Sequence, residues 1–215
     1  MTDRQNTPIS SRKRPKQARS AELVATILEA AVQVLTKEGA QRFTTARVAE
    51  KAGVSIGSLY QYFPNKAAIL FRLQSDEWRQ TTGLLSVILE DVRQPPLERL
   101  RRHVLAFIRS ECDEAEVRAA LSDAAPLYRD APEARETRAS VDRAFQAFMQ
   151  EALPEASEAT RELAGDLITT TLSKLGKHFS ESPRTPKELE DYAAALAQMF
   201  CAYLKSIENG SSQAL

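Results

Sequence analysis

Side chains that can form hydrogen bonds are concentrated in one short segment in the first third of the chain. They are Ser58, Tyr60, Gln61 and Tyr62. Their hydroxyl and amide groups can both donate and accept hydrogen bonds, and a plain protein surface gives little reason for them to be adjacent. The segment is therefore suited to non-covalent recognition of a surface that presents its own donors and acceptors.

The first of two short helices that must position these side chains is predicted just before them. Thr44 and Thr45 are residues that commonly start helices. Arg47 to Ala52 then carries apolar residues at helical spacing. Gly53 follows, and a glycine supplies the left-handed backbone that a sharp turn needs.

The second helix carries the polar side chains. Ser55 is a candidate N-cap, the segment from Ile56 to Phe63 is predicted to be helical, and Pro64 ends it. Leu59 and Phe63, four residues apart, are expected on the buried face. Two helices joined in this way are typical of a helix-turn-helix, and the alternative is an αα-hairpin inside a helical core. The polar residues on the exposed side favour the helix-turn-helix.

A helix-turn-helix presents its second helix to the major groove of DNA, where each base pair shows its own donors, acceptors and methyl groups. Ile56 can contact a thymine methyl group, and Gly57 lets the backbone approach closely. Ser58 and Gln61 can hydrogen-bond to base edges. The segment therefore predicts binding to an operator sequence in double-stranded DNA.

Residues 43–66, FTTARVAEKAGVSIGSLYQYFPNK, resemble the tetracycline-repressor (TetR) family of bacterial transcriptional regulators. The resemblance runs from about Ala25 to Leu70. Its most specific part is AGVSIGSLYQYFPNK, because the turn, the second helix and the trailing lysine all match in register. The remaining two-thirds of the chain resembles the family only in length and helical character.

The resemblance implies a role for each residue of the motif. It implies base contacts on the second helix and phosphate contacts for Tyr60, Tyr62 and Lys66. Thr45 and Arg47 match a further clamp on the DNA backbone, and Arg47 can also reach a base. The alternative for the two tyrosines is that one of them packs into the core. The full set of predicted DNA-binding residues is Thr44, Thr45, Arg47, Ser55, Ile56, Gly57, Ser58, Tyr60, Gln61, Tyr62 and Lys66.

The two parts of the chain carry opposite charge, although the formal net charge of the whole is zero. Residues 1–75 contain 12 Lys and Arg against 5 Asp and Glu, and residues 76–215 contain 17 against 24. A basic head on an acidic body suits a protein that places one end on a polyanion. Residues 1–18 are polar and basic, and we predict a disordered arm, either a plain solvated tail or an additional phosphate contact.

Apolar residues at spacings of three and four predict further helices, and no alternating pattern predicts a strand. The predicted helices are Ser20–Glu38, with Ser20 as a partial cap, Lys66–Val92, Leu97–Cys112, Ala115–Ala125, Pro132–Leu153, Thr160–Phe179 and a last helix that starts at Pro186 or Thr185 and carries apolar residues to Ile207, before Gly210 and a polar tail. We predict an all-α fold, with an N-terminal three-helix helix-turn-helix domain before a larger helical ligand-binding and dimerisation domain. The predicted segments are the arm at 1–18, the DNA-binding domain at 19–65 and the effector-binding and dimerisation domain at 66–215.

The resemblance also implies a dimer and a regulatory ligand. Apolar stripes on the last two helices predict a homodimer through a four-helix bundle, and the alternative is that both stripes are buried within one subunit. The implied function is repression from a pseudo-palindromic operator, with activation as the alternative. An apolar or aromatic small-molecule effector would release the DNA by changing the separation of the two heads through the long helix from residue 66. The candidate pocket residues are Trp78, His103, Phe107, Tyr128, Phe145, Phe148 and His178.

Other functions are disfavoured by what the sequence lacks. No P-loop, dinucleotide fingerprint or nucleophile elbow occurs, so we expect neither an enzyme nor a cofactor. Cys112 and Cys201 are too few and too far apart for a disulfide framework or a zinc site, and we expect no metal. No long apolar run or secretory signal is found, so we expect a cytoplasmic, nucleoid-associated protein with no membrane contact. A protein-binding helical adaptor is the remaining alternative, and the charge asymmetry disfavours it.

Overall fold

The computed structural model describes residues 18–127 and 143–212, and every regular element in these ranges is helical. The helices are α1 (Ala18–Arg42), α2 (Thr45–Ala52), α3 (Ile56–Tyr62), α4 (Lys66–Leu89), α5 (Pro96–Asp113), α6 (Ala115–Ala124), α7 (residues 143–152), α8 (Glu158–Ser180) and α9 (Pro186–Ser212). A 3-10 turn, Ala125–Leu127, follows α6. The predicted all-α class is confirmed. The first 17 residues of the predicted arm, Tyr128 and the predicted helix start at Pro132 lie outside the described residues.

The described residues form two compact units. The first contains residues 18–79 and 116–127, and the second contains residues 80–115 and 143–212. Helix α4 is continuous and contributes residues to both units, whereas α6 belongs to the first unit although it follows α5 in the chain. The predicted division into segments 1–18, 19–65 and 66–215 was based on function, and it stays a prediction.

Helix α1 begins earlier than predicted and contains an interruption. It starts at Ala18, so Ser20 lies inside the helix and does not cap it. Gly39 has φ 76° and ψ 167°, a conformation that is accessible to glycine and rarely to other residues. The chain therefore leaves helical geometry just after Glu38, as predicted, and resumes it up to Arg42.

The core of the first unit is apolar. Ile27, Ala31 and Leu35, each four residues after the last, are fully buried along one face of α1. They belong to one cluster with Phe43, Leu59, Phe63, Ala67, Ala68, Ile69, Leu70, Phe71, Leu73, Leu121 and Ala124. The predicted burial of Leu59 and Phe63 is confirmed, because neither has measurable exposure. An ion pair of 2.6 Å between Arg118 and Glu77 also joins α6 to α4.

The core of the second unit is built from α5, α7, α8 and α9 with the C-terminal part of α4. Arg99 on α5 is almost completely buried in it. One of its terminal nitrogens donates to the Leu89 carbonyl oxygen at 2.6 Å, and the other forms an ion pair with Glu151. The guanidinium also lies 5.7 Å from the centre of the Phe148 ring, within the range of a cation–π interaction. Arg99 thus links α4, α5 and α7.

Several helix ends differ from the predicted ones, mostly by one residue, and the larger differences are at α4, α8 and α9. Helix α4 ends at Leu89 rather than Val92, because a turn follows in which the Val92 N–H donates to the Glu90 carbonyl oxygen. Helix α8 begins two residues before Thr160, because the Ser157 hydroxyl accepts a hydrogen bond from the Thr160 N–H and caps the helix. Helix α9 continues to Ser212, so Gly210, which was predicted to lie in a polar tail, is an exposed residue of the helix.

Candidate functional site

Backbone hydrogen bonds fix the turn between α2 and α3. Gly53 has φ 67° and ψ 28°, in the left-handed region. Its N–H donates to the Glu50 carbonyl oxygen at 3.1 Å, and the Val54 N–H donates to the Ala49 carbonyl oxygen at 3.0 Å. These two bonds close the end of α2 as a Schellman-type cap. The predicted turn at Gly53 is confirmed.

Hydroxyl groups cap the N-termini of α2 and α3. The Thr44 Oγ1 atom accepts a hydrogen bond from the Arg47 N–H at 3.3 Å, and the Ser55 Oγ atom accepts one from the Ser58 N–H at 3.0 Å. The Oγ atoms of Ser55 and Ser58 are also 2.8 Å apart. The predicted cap at Ser55 is confirmed, and the DNA contacts of Thr44 and Ser55 stay predictions.

The exposed face of α3 carries the side chains that were predicted to meet bases. Ile56 is 42% exposed, Gly57 and Gln61 are exposed, and Ser58 is half-buried. A Cβ atom added at Gly57 would approach only the Ser55 Oγ atom, at an ordinary 3.8 Å. The packing of the chain itself therefore does not require a glycine here, and the missing side chain leaves space on the outer surface.

A hydrogen bond between hydroxyl groups joins the start of α2 to α3. Thr45 Oγ1 and Tyr60 Oη are 3.0 Å apart, and Tyr60 is 39% exposed. The bond fixes the direction of the tyrosine ring, because the Thr45 backbone is held in a helix. Two hydroxyl groups are thereby placed side by side at the helix N-terminus, where backbone N–H groups and the helix dipole favour an anion.

Tyr62 does not share the exposed surface of α3. Its side chain is buried, with 7% exposure, and it belongs to the apolar cluster of the first unit. Its predicted place on the exposed side is therefore wrong, and the alternative that one of the two tyrosines packs into the core holds. A short helix has few apolar positions, and the ring supplies one of them. A phosphate contact by Tyr62 stays a prediction.

Lys66 lies at the first position of α4, just after a capped helix start. The Asn65 Oδ1 atom accepts a hydrogen bond from the Ala68 N–H at 2.8 Å. A cation at a helix N-terminus is disfavoured by the helix dipole. The charge of Lys66 therefore does not stabilise α4, which is consistent with its predicted contact with a phosphate.

Arg47 is paired within the chain. One of its terminal nitrogens, Nη1, forms an ion pair with the Glu38 carboxylate and lies 3.3 Å from the Arg42 carbonyl oxygen. Both charged side chains are partly exposed to solvent. Any contact of this guanidinium nitrogen with DNA therefore competes with Glu38.

The structure brings together three of the predicted pocket residues. The rings of His103 and Phe145 have centres 5.9 Å apart, and those of Phe145 and Phe148 are 5.7 Å apart. Desolvation lowers the pKa of the buried His103 to about 4, against a weaker opposing effect of its hydrogen bond to the Leu85 backbone. The Nδ1 atom of this ring has no hydrogen-bond partner.

The other predicted pocket residues lie elsewhere. Trp78 belongs to the first unit and is half-buried on α4. Phe107 is half-buried against α8, where a Cβ added at Gly176 would come within 2.8 Å of its ring. His178 is exposed at the end of α8 and lies 3.1 Å from the Glu181 carboxylate. Their roles as pocket residues stay predictions.

A cavity of about 380 Å³ lies between α7 and α8 in the second unit. Phe145 is the only predicted pocket residue among the described residues that line it. Sequence reasoning missed three acidic residues of its wall, Glu158, Glu162 and Asp166. Their spacing of four residues places them on one face of α8, and this regular spacing is the signal that could have found them.

A second cavity, of about 650 Å³, lies between α5 and α9 and has Cys201 in its wall. The Cys201 thiol lies 3.7 Å from the Leu97 carbonyl oxygen, and Cys112 is half-buried. Burial raises the pKa of both thiols. The two cysteines therefore lack the lowered pKa that a reactive thiolate needs.

Two kinds of site are not found in the part of the chain that the structure describes. No group of three or more His, Cys, Asp or Glu side chains in residues 18–127 and 143–212 is placed to hold a metal ion. Within the same ranges, none of the helices combines the length and apolar character required to cross a membrane.

Two family models match the sequence. A model of bacterial regulatory proteins of the tetR family matches residues 27–73, and a model of the tetracyclin repressor-like C-terminal domain matches residues 95–207. The first match contains α2, the turn and α3 in full. The second begins just before α5 and reaches most of the way along α9.

Curated relatives match over part of their length. The nucleoid occlusion factor SlmA of Vibrio campbellii is 40% identical over 85 residues, which are 38% of this chain and 43% of that protein. The SlmA protein of Alteromonas mediterranea is 51% identical over 43 residues, which are 20% of this chain and 22% of that protein. The chain therefore spans less than half the length of these relatives.

Solved structures resemble the chain over most of its length. The fatty acid degradation regulator FadR from Bacillus halodurans superimposes with a TM-score of 0.68 at 18% identity, covering 87% of this chain and 96% of that one. The TetR family regulator PfmR from Thermus thermophilus gives a TM-score of 0.64 at 21% identity, covering 81% and 96%. At such identities the likeness establishes the fold.

Proposed function

Because the chain belongs to the TetR family of bacterial transcriptional regulators, we propose that it binds a pseudo-palindromic operator as a homodimer and represses transcription until a small molecule releases it. The proposal of DNA binding rests on the outer surface of α3. Side chains that can contact base edges lie there, beside the hydrogen-bonded pair Thr45 and Tyr60. The proposal assigns the chain no catalytic step and places it in the cytoplasm, on the nucleoid.

Base recognition is assigned to α3. Ser58 and Gln61 would hydrogen-bond to base edges, and Ile56 would contact a thymine methyl group. The 42% exposure of Ile56 supports this assignment, since an isoleucine that serves only the core would be buried. Gly57 would allow the helix backbone to enter the groove closely, and its Cβ position is open on the protein side.

Phosphate contacts are assigned to residues around the helix starts. Thr45 and Tyr60 present two adjacent hydroxyl groups, and Lys66 presents an ammonium group at the start of α4. Such contacts set the register and orientation of the protein without reading the sequence. The predicted DNA contacts of Thr44, Ser55 and Tyr62 stay part of the proposal. Thr44 and Ser55 also cap helices, and the Tyr62 ring is buried.

Dimerisation is assigned to α8 and α9. Leu163 and Leu167 on α8 are 58% and 46% exposed, and Met199 on α9 is 49% exposed. Apolar side chains left uncovered at helical spacing are typical of a surface that another subunit covers. One helix-turn-helix reads few base pairs, and two copies would place recognition helices about one DNA turn, roughly 34–36 Å, apart.

Release is assigned to α4. The helix is continuous from Lys66 to Leu89 and supplies Leu70 to the core of the first unit and Leu89 to that of the second. A ligand in the second unit that shifts this helix would alter the spacing of two heads in a dimer. A coupling of about 1–3 kcal/mol between the two sites is enough to change operator occupancy.

The proposal is tested by selecting bound sequences from random double-stranded DNA with the full chain. We expect a pseudo-palindrome that binds two copies of the chain, measured as the stoichiometry of the purified complex. Enrichment of a single short site by one copy, or of no sequence at all, would contradict the proposal.

Single substitutions then separate the two kinds of contact. Gln61→Ala should change the preferred base at one position of each half-site, whereas Lys66→Ala should leave the preference unchanged. The latter should reduce the slope of log affinity against log salt by about one unit per half-site. Lys187→Ala, which removes an exposed lysine of α9, is the matched control and should leave the slope unchanged.

A further inference from the structure

Two serine hydroxyl groups form a hydrogen bond at the start of α3. The Ser55 Oγ atom accepts the Ser58 N–H at 3.0 Å and lies 2.8 Å from the Ser58 Oγ atom. Each hydroxyl group has one proton to donate and two lone pairs that can accept. The direction of the bond between the two oxygens therefore determines whether Ser58 has a proton to donate to DNA.

The same arrangement occurs at the start of α9, and there the direction is fixed. The Thr185 Oγ1 atom accepts the Glu188 N–H at 3.2 Å and donates to the Glu188 Oε2 atom at 2.9 Å. The hydrogen bond from the Thr185 N–H is the largest cause that lowers the pKa of Glu188, so the carboxylate is ionised and can only accept. A cap hydroxyl group of this chain thus accepts from the backbone of the third residue after it and donates to the side chain of the same residue.

Polarisation favours the same direction at Ser55. If Ser55 donates, the Ser58 N–H, the Ser55 hydroxyl group and the Ser58 oxygen form a head-to-tail series, and hydrogen bonds in series strengthen one another. If Ser58 donates instead, the Ser55 oxygen accepts two hydrogen bonds, and the series is lost. The geometry therefore favours Ser55 as the donor.

The Ser58 proton then remains for a partner outside the chain. Hydroxyl groups on other helices donate to a carbonyl oxygen of the preceding turn, as Thr26 does to Glu22 at 3.0 Å. In the part of the chain that the structure describes, the Ser58 Oγ atom has no hydrogen-bond partner other than the Ser55 Oγ atom. Ser58 is half-buried on α3, so a partner can still reach its hydroxyl group.

We infer that Ser55 orients the Ser58 hydroxyl group as a hydrogen-bond donor and thereby directs Ser58 to acceptors on base edges. The acceptors that the major groove presents are N7 of the purines, O6 of guanine and O4 of thymine. Ser58 makes the contact, and Ser55 is a positioning residue. The inference rests on the proposed function, because it concerns how the same surface of α3 reads DNA.

The contacted base pair is identified first. Selection of bound sequences by the unaltered full chain and by Ser58→Ala should differ at one position of each half-site. Operators are then made in which that base pair lacks one group. The acceptors are removed with 7-deazapurines, 2-aminopurine or 5-methyl-2-pyrimidinone, and the amino groups of adenine and cytosine are removed with purine or 2-pyrimidinone.

A double-mutant cycle with Ser58→Ala cancels the effect of each analogue on the DNA itself. Removing one acceptor should weaken binding by the unaltered chain about three- to tenfold more than binding by Ser58→Ala, as expected for one neutral hydrogen bond. Removing an amino group should weaken binding by both proteins equally. Coupling of Ser58 to an amino group, or to no group at all, would overturn the inference.

The role of Ser55 requires a variant that keeps the helix cap. Ser55→Asn retains an oxygen that accepts the Ser58 N–H, since asparagine is among the best N-cap residues, and it has no hydroxyl proton for Ser58. The Ser58 proton should then be donated to the asparagine oxygen, so the coupling to the base acceptor should be lost. Coupling that persists in Ser55→Asn would show that Ser55 does not set the direction.

Ser157→Asn is the matched control. The Ser157 Oγ atom accepts the Thr160 N–H at 3.2 Å and lies 2.8 Å from the Thr160 Oγ1 atom, so the same pair occurs at the start of α8. The two variants should change the thermal unfolding temperature alike, and only Ser55→Asn should lose the coupling. A full chain that selects no DNA would refute the proposed function together with this inference. A selected operator without the expected coupling would refute the inference alone.

Discussion

The two units of the molecule place their polar groups in opposite ways. In the first unit, the hydroxyl groups of Thr45, Ser55 and Tyr60 lie near the surface over an apolar core. In the second unit, three residues of one helix, Arg99, His103 and Glu111, are buried. The first unit thus keeps these three hydroxyl groups where a partner can reach them, although it also buries Ser75. The second unit places ionisable side chains in its interior.

This difference corresponds to two kinds of binding surface. A surface that meets DNA is fixed in advance, because caps and backbone hydrogen bonds at Thr44, Gly53 and Ser55 set the positions of α2 and α3. A core that contains ionisable groups is less stable than an apolar one of the same size unless each group has partners. His103 Nδ1 and Arg99 Nε have no hydrogen-bond partner. We therefore expect the stability of the second unit to depend on pH.

The largest expected effect tests this difference through pH. The pKa of His103 is about 4 in the folded chain, against 6.5 as its ordinary value. Between these values the unfolded chain binds a proton that the folded chain does not. The free energy of unfolding should therefore be intact above about pH 6.5 and should fall towards pH 4, by about 3 kcal/mol for this group.

Urea unfolding at several pH values measures the effect. His103→Gln can still donate a hydrogen bond to the Leu85 carbonyl oxygen and does not titrate, so it should flatten the pH dependence in this window. His178→Gln removes the exposed histidine at the end of α8 and is the control. If the free energy of unfolding has the same pH dependence in the two variants, the buried imidazole of His103 does not cause the loss of stability in acid. The contrast between the two units would then lose its main support.

A smaller effect is expected from the turn of the first unit. Gly53→Ala forces a left-handed conformation on a residue with a Cβ atom, which costs about 1–2 kcal/mol. No atom lies within 4 Å of that Cβ position, so the expected loss of stability comes from backbone strain and involves no steric clash. Thermal unfolding temperature and operator affinity should both decrease.

Gly83 in α4 provides the matched control for this substitution. A Cβ atom there also meets nothing within 4 Å, and the backbone is not left-handed. Gly83→Ala should therefore raise stability by up to about 1 kcal/mol, because alanine favours a helix. Equal changes in stability for Gly53→Ala and Gly83→Ala would mean that the turn between α2 and α3 is not fixed in its left-handed conformation.

Sequence patterns predicted the first unit better than the second, for a physical reason. The turn, the Ser55 cap and the buried pair Leu59 and Phe63 depend on residues within a few positions of each other. Tyr62 was misplaced because its burial depends on packing against other helices. The α7–α8 cavity and the burial of Arg99 combine residues more than ten positions apart in the chain, and no local pattern distinguishes a buried arginine from an exposed one.

The smallest expected effect concerns the ion pair of Arg47 with Glu38. We expect the carboxylate to compete with DNA for the guanidinium, so Glu38→Gln should increase operator affinity about two- to threefold at low salt. Exposed ion pairs contribute about 0.2–1 kcal/mol, which limits the size of this gain. Fluorescence anisotropy with the selected operator measures it, and added salt should reduce the gain.

Removing a carboxylate near DNA also helps binding through long-range charge, so the competition requires a double-mutant cycle. With Arg47→Ala already present, Glu38→Gln should retain only the gain shown by Glu50→Gln, which removes an exposed carboxylate of α2. A loss of affinity in Glu38→Gln alone would show instead that Glu38 holds Arg47 in its binding position. The expected gain would mean that Arg47 must leave Glu38 before it binds DNA. The caps and backbone hydrogen bonds that set the positions of α2 and α3 are the same in both variants, so this result would make Arg47 an exception to a surface that is otherwise fixed in advance.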